Sequence, residues 1–429
     1  MGEIMKKINL IKAALFMAAT NAAFAAGYQI VEQGASNMGT AVAGVSANAN
    51  SDATAAFWNP SAVSSMGLKV GETRVDSALF AVLPTLCCDV DMSRSSATLL
   101  AGGGTQTHNN CATNSIIPQM FVVHRFTEDL YGTLSITAPW GLESDYSPDW
   151  VGNMQAMRSY LFTMDLNPSL AYKVNDWLTV AGGVSAQFAY CTLSSITPIS
   201  ASPLIVRPMD LTGQGCSIGG NVGFTIDYAE DGRFGFQWRS AVEHSLSGNA
   251  HLNGNQIYSP ISADMHMPHT FTFGFYQRLR GCLKQFAVMA DYSYTMWSAF
   301  DELYVPEVNV RVPENWKDTS RVSLGFHYYP EQIENLTLRL GACFDESPVR
   351  SAAERTARIP CSDRVWLSTG IGYEYKNFSI DLSYTYIFVV GNGEIARDEA
   401  VAGGMLPTHL EGNYYAHIHV LGVQVGYKF

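Results

Sequence analysis

The residues with the most evident reactive chemistry in this chain of 429 residues are its eight cysteines. Cysteines in an exported protein are expected to form disulfides, and the Cys-x-x-Cys spacing that would indicate a zinc site does not occur. The pairs that flank long predicted loops are the candidates. We predict bridges Cys191–Cys216 and Cys343–Cys361, and a third bridge from Cys111 to either Cys87 or Cys88.

No other group of residues has the spacing of a catalytic or metal site. The stretch AGGGT at 101–105 lacks the lysine and the spacing of a phosphate-binding loop. His266 and His269 share one segment, but two histidines alone do not make a metal site. A hydrolase would need a Ser/His pair with a polar third member, and no local motif marks one. We therefore predict that the chain is not an enzyme and uses no cofactor and no metal.

The N-terminus indicates export. Lys6 and Lys7 precede a short apolar stretch at 13–19, and Ala23-Phe24-Ala25 has the pattern of a cleavage site. This order predicts a cleaved signal peptide over 1–25, after which no stretch approaches the ~18 apolar residues of a transmembrane helix. The formal net charge of −12 argues against a nucleic-acid partner. A periplasmic protein, a secreted protein and an outer-membrane β-barrel remain as alternatives.

Alternation of apolar with small or polar residues recurs along the rest of the chain. It is clearest from Phe378 to Phe388 and from Leu421 to Phe429, where every second residue is apolar. Segments of ~10 alternating residues are typical of transmembrane barrel strands, although soluble sandwiches also alternate. The predicted strands lie near 69–83, 116–126, 130–141, 160–174, 177–191, 216–229, 232–247, 268–280, 284–298, 317–329, 335–345, 362–375, 378–390 and 413–429.

The connections between these fourteen predicted strands alternate between short turns and long loops. Short periplasmic turns and long external loops are the plan of an outer-membrane barrel, whereas a sandwich has no reason to follow it. We therefore predict an all-β fold, a 14-stranded antiparallel transmembrane β-barrel over 68–429. Because a barrel has no free edge, its last strand must pair with its first, and the terminal Phe429 would lie in the aromatic girdle at the membrane interface.

The segment at 26–67 precedes the first strand and does not alternate. It is rich in Ala, Gly, Ser and Asn, and it contains Phe57 and Trp58. Fourteen strands enclose more space than their own side chains fill, so this segment could fold inside the lumen as a plug, or hatch. A disordered or periplasmic tail is the alternative, but such a tail would not need these two aromatic residues.

Several stretches resemble a known family. They are AGYQIVEQGASNMGTA at the predicted mature start, the NPS at 59–61, YTMWSAFDEL at 294–303, NWKDTSRVSLG at 315–325 and FDESPVRSAAERTARIPCSDRVWLSTGIGYEY at 344–375. In these the chain is similar to the outer-membrane long-chain fatty-acid transporters of the FadL family, which includes importers of aromatic hydrocarbons. The resemblance implies a fourteen-stranded barrel plugged by an N-terminal hatch. It also implies passive import through a loop groove, a lumen pocket, hatch movement and lateral exit at a kinked third strand.

The resemblance assigns expected roles to residues of the third strand and the hatch. Pro139, Trp140 and Gly141 would form the lateral opening, since proline cannot donate to a strand ladder and glycine weakens one; the alternative is that Pro139 merely ends the strand. Tyr28 would be a hatch aromatic near this opening. Asn59 and Pro60 match the Asn-Pro of the family's hatch, although by themselves they predict only a turn.

The expected ligand groove lies in two long loops, 192–215 and 248–267. These loops are unusually apolar for exposed segments, which suggests a binding surface, although the same residues could simply pack the loops together. The groove candidates are Leu204, Ile205, Val206, Met209, Ile261 and Met265.

A fatty acid also needs a basic residue for its carboxylate. One basic position of the family falls around Ser194–Ser195, which carries no charge, and the other falls beside Arg311 but not on it. Arg311 is therefore the single candidate for carboxylate binding, and the chain could instead favour a neutral hydrophobic compound.

Together these observations predict a monomeric outer-membrane protein of a Gram-negative-type cell. It would passively import fatty acids or other hydrophobic molecules. Its expected partners are the hydrophobic molecule itself, outer-membrane lipid and the machinery that assembles outer-membrane barrels. The alternative is a general porin or an adhesin-type barrel without hydrophobic transport.

Overall fold

The computed structural model describes residues 27–92, 94–95, 105–108, 110–391 and 393–429. The predicted signal peptide and most of the AGGGT stretch lie outside these residues. Strands account for most of the described chain, as the two-residue period predicts.

Fourteen strands in the described part of the chain form a closed antiparallel barrel, and we number them β1 to β14. Their bounds are β1 Thr73–Asp91, β2 Ser115–Arg125, β3 Leu130–Thr137 with Gly141–Asp145, β4 Arg158–Lys173, β5 Leu178–Ala201, β6 Leu204–Ala229, β7 Gly232–Arg239 with Val242–Leu252, β8 Asn255–Met267 with Thr270–Arg278, β9 Phe286–Thr295, β10 Thr319–Tyr328, β11 Leu336–Asp345, β12 Arg364–Tyr375, β13 Phe378–Val389 and β14 Leu406–Lys428. The last strand pairs with the first from Arg74↔Lys428 to Val90↔Gly412, which closes the wall. The predicted strand number and closure are therefore confirmed.

Shorter elements accompany the fourteen barrel strands. Thr105–His108 pairs with the outer part of β1, and Glu394–Val401 pairs with β14. Glu302–Val305 and Val310–Pro313 form a separate small hairpin between β9 and β10, which we call the loop hairpin. The helical elements are short: α1 Ala35–Met38, α2 Ala55–Trp58, and 3₁₀ turns at Pro60–Met66, Gly281–Leu283, Trp297–Ala299 and Pro306–Val308. No helix in the described residues is long and apolar enough to cross a membrane.

The two faces of the wall differ in polarity, as β13 illustrates. Ile380, Leu382 and Tyr384 point outward and are exposed, whereas Asp381 and Ser383 point inward and are buried. An apolar outer band with a polar interior suits a strand between lipid and a filled lumen.

The prediction of long loops at 192–215 and 248–267 is wrong. β5 and β6 instead continue as one paired hairpin as far as Ala201 and Leu204, and β7 and β8 continue to Leu252 and Asn255. The prediction ended these strands near the ~10 residues that cross a membrane. Backbone pairing does not stop at the membrane surface, so the ladders extend beyond it.

Residues 27–67, which we call the N-terminal segment, pack against the inner faces of the strands. Nearly all of residues 27–63 are buried. Inward-facing glycines provide the room: a Cβ added to Gly341 would lie 2.1 Å from the carbonyl group of Thr40, and one added to Gly235 would lie 1.9 Å from the carbonyl oxygen of Ser46. Such distances are far below van der Waals contact, so any side chain at these positions would displace the segment.

Candidate functional site

The ladder between β2 and β3 is interrupted. Pairing runs from Arg125↔Tyr131 to Met120↔Ile136, and beyond Ile136 only the isolated bridge Ala112↔Ser144 joins β3 to the chain before β2. The residues between the two segments of β3 include Pro139, which has no N–H to donate. The wall therefore lacks a stretch of strand pairing at this point.

The N-terminal segment occupies the interrupted stretch with its own backbone. The N–H of Ile30 donates to the carbonyl oxygen of Pro139 at 2.8 Å, and the N–H of Gly141 donates to that of Tyr28, also at 2.8 Å. Gln29 forms an antiparallel bridge with Trp140. Backbone groups that β2 does not pair are thus satisfied from inside the barrel, which matters because unpaired groups at membrane depth are costly.

Gln119 of β2 completes the seal from the other side of the gap. Its side-chain oxygen accepts a hydrogen bond of 3.0 Å from the N–H of Gly34, and its side-chain nitrogen donates to the carbonyl oxygen of Glu32. On the β4 side β3 stays attached, because Thr163 bonds both the N–H of Trp140, at 3.0 Å, and its carbonyl oxygen, at 2.7 Å. The interruption is therefore one-sided, between β2 and β3.

Tyr28 lies at the centre of a buried group of rings that we call the aromatic cluster. Its ring centroid is 4.7 Å from that of Trp297, 5.5 Å from Phe300, 5.6 Å from Trp316 and 6.0 Å from Trp140. The Tyr28 hydroxyl donates to the carbonyl oxygen of His266 at 3.0 Å. The cluster holds the start of the N-terminal segment against β3 and the β9–β10 loop.

Glycine is required directly before Tyr28. Gly27 has a φ of 62°, which side chains rarely adopt, and an added Cβ would lie 2.8 Å from the rings of both Trp297 and Trp316. Only glycine, which has no side chain, therefore fits at position 27 next to the aromatic cluster.

Three small cavities are lined by residues of the outer hairpins, of the aromatic cluster and of the gap in β3. The outer cavity is lined by Leu211, Leu246 and Val305, among others, and has a free volume of about 30 Å³. The middle cavity, also about 30 Å³, shares Cys191, Leu193, Met265 and Leu303 with the outer one and reaches Tyr28. The inner cavity, about 40 Å³, is lined by Ile30, Phe57, Trp58, Pro139 and Trp140. Each is about the size of a water molecule, so a larger ligand requires side chains to move.

The predicted groove residues divide into two sets. Ile261 lines the outer cavity, Met265 lines both the outer and the middle one, and Met209 packs against the same apolar group as Ile261. Leu204, Ile205 and Val206 lie at the tip of the β5–β6 hairpin and line none of the three cavities. The extension of the two strands carries these three residues away from the lumen.

Asn59 and Pro60 anchor the other end of the N-terminal segment. The Asn59 side chain accepts from the N–H of Ser61 at 3.2 Å and donates to the carbonyl oxygen of Ser46 at 2.7 Å. It also donates to the carbonyl oxygen of Phe224 in β6 at 3.3 Å. Pro60 begins the 3₁₀ turn that Asn59 caps. The pair therefore forms a turn that is also fixed to the barrel wall.

Arg311, the sequence candidate for carboxylate binding, lies elsewhere. It belongs to the loop hairpin, where its guanidinium pairs with Glu302 at 2.8 Å and lies 4.9 Å from the ring centroid of Tyr304. Its side chain is 61% exposed, and it lines none of the three cavities.

Two of the expected disulfides are not brought together, and in the described residues all eight cysteines are unbridged. Cys191 points inward from β5, whereas Cys216 is exposed on the outer face of β6, so this pairing is wrong. Cys343 packs against the N-terminal segment, while Cys361 belongs to the group of apolar residues around Tyr28. The predicted Cys343–Cys361 bridge is therefore also wrong.

The third cysteine pairing stays a prediction. Cys88 and Cys111 are both buried in one cluster, together with Tyr146 and Tyr414, whose hydroxyls are 3.1 Å apart. Cys87 is half-buried and points to the other face of β1. Between the two alternatives, the geometry favours Cys88 as the partner of Cys111.

Two buried charged residues beside the middle cavity were missed in the sequence. Glu314 follows the loop hairpin and accepts a hydrogen bond from the indole N–H of Trp316 at 3.1 Å. Burial raises the pKa of Glu314 to about 8. Arg358, in the β11–β12 loop, is only 7% exposed. Arg358 lies within the resembling stretch 344–375 and Glu314 directly precedes the one at 315–325, but no role was predicted for either residue.

The short-turn end of the barrel contains a large polar vestibule of about 1180 Å³. Its lining includes Arg74, Arg233, Arg278, Arg339, Asp227 and Asp381. A space lined by so many charges suits water and ions rather than an apolar molecule.

Comparison with known proteins agrees with this architecture. Residues 16–429 match the family model described as outer membrane protein transport protein (OMPP1/FadL/TodX). The chain is 27% identical to a long-chain fatty acid transport protein of Escherichia coli O6:H1, over 87% of this chain and 91% of the relative. It is 26% identical to outer membrane protein P1 of Haemophilus influenzae, over 99% and 100% of the two chains.

A solved structure shows the same fold. The crystal structure of a Pseudomonas aeruginosa FadL homologue superposes with a TM-score of 0.81, at 21% identity, covering 94% of this chain and 99% of that one. Members of the family are passive transporters and channels of the outer membrane, not enzymes. The chain therefore belongs to the OMPP1/FadL/TodX family of outer membrane transport proteins.

Proposed function

We propose that this outer-membrane transporter carries hydrophobic molecules passively, and that they leave sideways between β2 and β3. The observation that carries the proposal is the one-sided interruption of the β2–β3 ladder, which the N-terminal segment fills through Tyr28 and Ile30. A ligand would enter at the outer cavity, pass the aromatic cluster, and reach the gap beside Pro139 and Gly141. Its driving force is the transfer of apolar surface out of water, ~25 cal/mol per Å².

The polar vestibule supports a lateral exit over a straight one. A molecule that continued through the lumen would have to cross the charged lining of the short-turn end. Exit between β2 and β3 leads directly into the hydrocarbon layer. The apolar ligand then stays out of water throughout, which makes the lateral route the less costly of the two.

In this proposal residues 26–67 act as a hatch, and the barrel comprises 68–429. The cavities described above are too small for a chain-like ligand, so they represent a closed state. Opening requires the two backbone hydrogen bonds to Pro139 and Gly141 to break, together with a shift of Tyr28 within the aromatic cluster. No covalent step and no energy source is involved.

Fatty acids are the substrate class that the relatives suggest, since the Escherichia coli relative is named a long-chain fatty acid transport protein. Outer-membrane lipid would receive the ligand, and assembly machinery would insert the barrel as a monomer. A general porin is the alternative. It is disfavoured because the N-terminal segment fills the lumen above the vestibule with buried residues.

The test is a double variant, Pro139→Val with Gly141→Ala, in which the stretch of β3 gains a donor and becomes stiffer. Uptake of labelled palmitate by cells should fall, while binding by the purified protein stays close to wild type. Pro168→Val with Gly182→Ala is the matched control. It places the same two changes in β4 and β5, away from the gap. Pro168 pairs with Leu134 of β3, although the β4–β5 ladder omits Asn167 and Pro168, and the nearest atom to an added Cβ at Gly182 is 3.7 Å away. Unchanged uptake in a correctly folded Pro139/Gly141 variant would contradict the lateral route.

A further inference from the structure

The outside of the barrel wall carries an open groove across β2, β3, β4 and β5, with a volume of about 470 Å³. Most of the side chains that line it point outward, on the face that meets lipid, and we call it the lipid-facing groove. Its apolar side chains are Val122, Phe126, Leu134, Pro168, Leu170 and Val184. No described residue lines both this groove and one of the three cavities inside the barrel.

The strand register sets the groove residues side by side in two neighbouring rows. The first row is His124, Gly132, Leu170 and Gly182, and the second is Val122, Leu134 and Pro168. Two of the four residues in the first row are glycines, so the outer surface is recessed there. Glycine inside a strand often marks a place where a ligand approaches the backbone closely.

Phe126 lies at the short-turn end of the lipid-facing groove. A Cβ added to Gly132 would lie 2.6 Å from the Phe126 ring, so this ring covers the bare backbone of Gly132. The ring centroid is also 4.6 Å from that of His124, in an edge-on arrangement. The groove therefore has a defined aromatic end, beyond which the chain turns from β2 into β3.

The other end of the groove lies beside the proposed exit. Ile136 is the last residue of β3 that pairs with β2 before the interruption, and Leu134 of the groove precedes it by two residues. At ~3.4 Å per residue, Leu134 lies at most roughly 17 Å along the chain from Pro139. A molecule that emerges between β2 and β3 therefore meets the outward faces of the same two strands that line the groove.

We propose that the lipid-facing groove binds the alkyl chain of the transported molecule after this molecule has passed between β2 and β3. The inference rests on the proposed transport function and adds to it a binding site on the outside of the wall. We assign the groove to the transported molecule rather than to a resident lipid because it continues from the gap on the same strands.

Packing is the physical basis of this binding. Within a bilayer the surrounding lipid is as apolar as the chain, so the hydrophobic effect no longer favours one location over another. A recessed surface nevertheless gives an alkyl chain more van der Waals contact than a flat wall does. The volume of about 470 Å³ lies within the ~300–1,000 Å³ of small-molecule sites.

The experiment uses palmitate that carries a photoactivatable diazirine at the end of its chain, with the purified full-length protein in phospholipid vesicles. After illumination, peptide mapping should find at least about fivefold more label on Leu134 than on Leu382, which is exposed on the lipid face of β13. Gly182→Trp, whose ring fills the groove, should lower the label on Leu134 by about fivefold or more. Gly182→Ala adds only one methyl group and should be labelled as the wild type is.

Ile380→Trp is a second control, because it places the same ring on the lipid face of β13, and it should leave the label on Leu134 unchanged. Equal labelling of Leu134 and Leu382 in the wild type would overturn the proposal without any variant, which covers the case in which Gly182→Trp does not assemble. An unchanged label on Leu134 in a correctly assembled Gly182→Trp variant would overturn it as well.

A phospholipid with the same diazirine in its acyl chain tests the assignment of the occupant. It should label Leu134 and Leu382 about equally; if it labelled the groove as strongly as palmitate does, the groove would be a site for resident lipid and the proposal would be wrong. Palmitate should also label residues of the middle cavity inside the barrel. If no label appeared there, the proposed transport function itself would fail, so the two failures are distinguishable.

Discussion

The backbone N–H of Gly141 donates a hydrogen bond of 2.8 Å to the carbonyl oxygen of Tyr28. This bond joins the barrel wall to the N-terminal segment at the place where β3 has lost its pairing to β2. A sheet edge that faced lipid would be unstable, so a segment that completes the edge from inside can also control whether it is open. The predictions below follow from that relationship and from the residues around it.

The N-terminal segment should block ions. In a planar bilayer the wild-type protein is expected to show little steady conductance, because the described residues 27–63 are nearly all buried against the inner wall. A variant lacking residues 27–66 should give large open steps, since the polar vestibule would then connect to the outer side. Large steady steps from the intact protein would favour a general porin instead.

Glycine on the inner face of β7 should be needed to seat the segment. Gly235→Ala places a Cβ 1.9 Å from the carbonyl oxygen of Ser46, and overpacking of this kind costs about 1–3 kcal/mol. Limited proteolysis of the purified protein should then cut the N-terminal segment faster than in the wild type. Gly182→Ala, whose added Cβ would make only an ordinary contact of 3.7 Å, serves as the control, and equal resistance of both variants would show that the close contact is not needed.

Carboxylate binding should weaken as the pH rises through about 8. Burial raises the pKa of Glu314 to about 8, and the negative charge of Glu399 raises it further. The positive charge of Arg397 and the hydrogen bonds from Thr356 and Trp316 lower the pKa but do not cancel the effect of burial. Glu314 is therefore neutral at pH 7, and its ionisation adds a negative charge beside the cavity that repels palmitate. Between pH 7 and 9 the affinity for palmitate should fall in the wild type and stay level in Glu314→Gln, whereas hexadecanol binding should stay level in both.

The same ionisation should affect stability. Because the pKa in the fold lies above the ordinary 4.5, the contribution of Glu314 to stability is fully present below pH 4.5 and is lost as the pH rises through about 8. Thermal unfolding in detergent should therefore depend less on pH in Glu314→Gln than in the wild type over this range. An identical pH dependence would mean that Glu314 is already ionised at neutral pH.

Cys88 and Cys111 should form a disulfide in the exported protein. Both are buried in the cluster that contains Tyr146 and Tyr414, and closing a loop of this length stabilises by about 3 kcal/mol. Peptide mapping without reduction should find this pair in the wild type and in Cys87→Ala, and free thiols in Cys111→Ala. A bridge to Cys87 instead, or free thiols throughout, would contradict the assignment.

The barrel could be predicted from the sequence because side chains along each strand alternate between two faces with a period of two residues. On β13 the outward Ile380 and Leu382 alternate with the inward Asp381 and Ser383, and that pattern depends only on the chain and its two surroundings. The length of the β5–β6 hairpin could not be predicted in the same way. Above the membrane both faces meet water or loops, so the alternation fades while the pairing continues from Cys191↔Gly213 to Ala201↔Leu204.

The cysteine error was avoidable, whereas the missed arginine was not. The apolar alternation puts Phe188 and Tyr190 on the outward face, which leaves Cys191 facing inward. Cys216 is in phase with the outward Val222 and Phe224, so the two cysteines already fall on opposite faces in the sequence. For the carboxylate, the sequence comparison looked for a basic residue around Ser194–Ser195. In the structure a guanidinium does lie there, within 3.4 Å of the carbonyl oxygen of Ser194, but it comes from Arg358, 164 residues further along the chain. Only the fold brings the two together.

A reversible cross-link between the N-terminal segment and β3 tests the central claim most directly. Gln29 and Trp140 form an antiparallel bridge, so cysteines at both positions would lie within disulfide range. In a background with the eight native cysteines replaced by alanine, Gln29→Cys with Trp140→Cys should block palmitate uptake when oxidised and restore it when reduced. The control is Ser368→Cys with Thr385→Cys, which joins two paired positions on β12 and β13 and should leave uptake unchanged in both states. Equal uptake by the oxidised and reduced Gln29/Trp140 variant would show that the segment does not move away from β3 during transport.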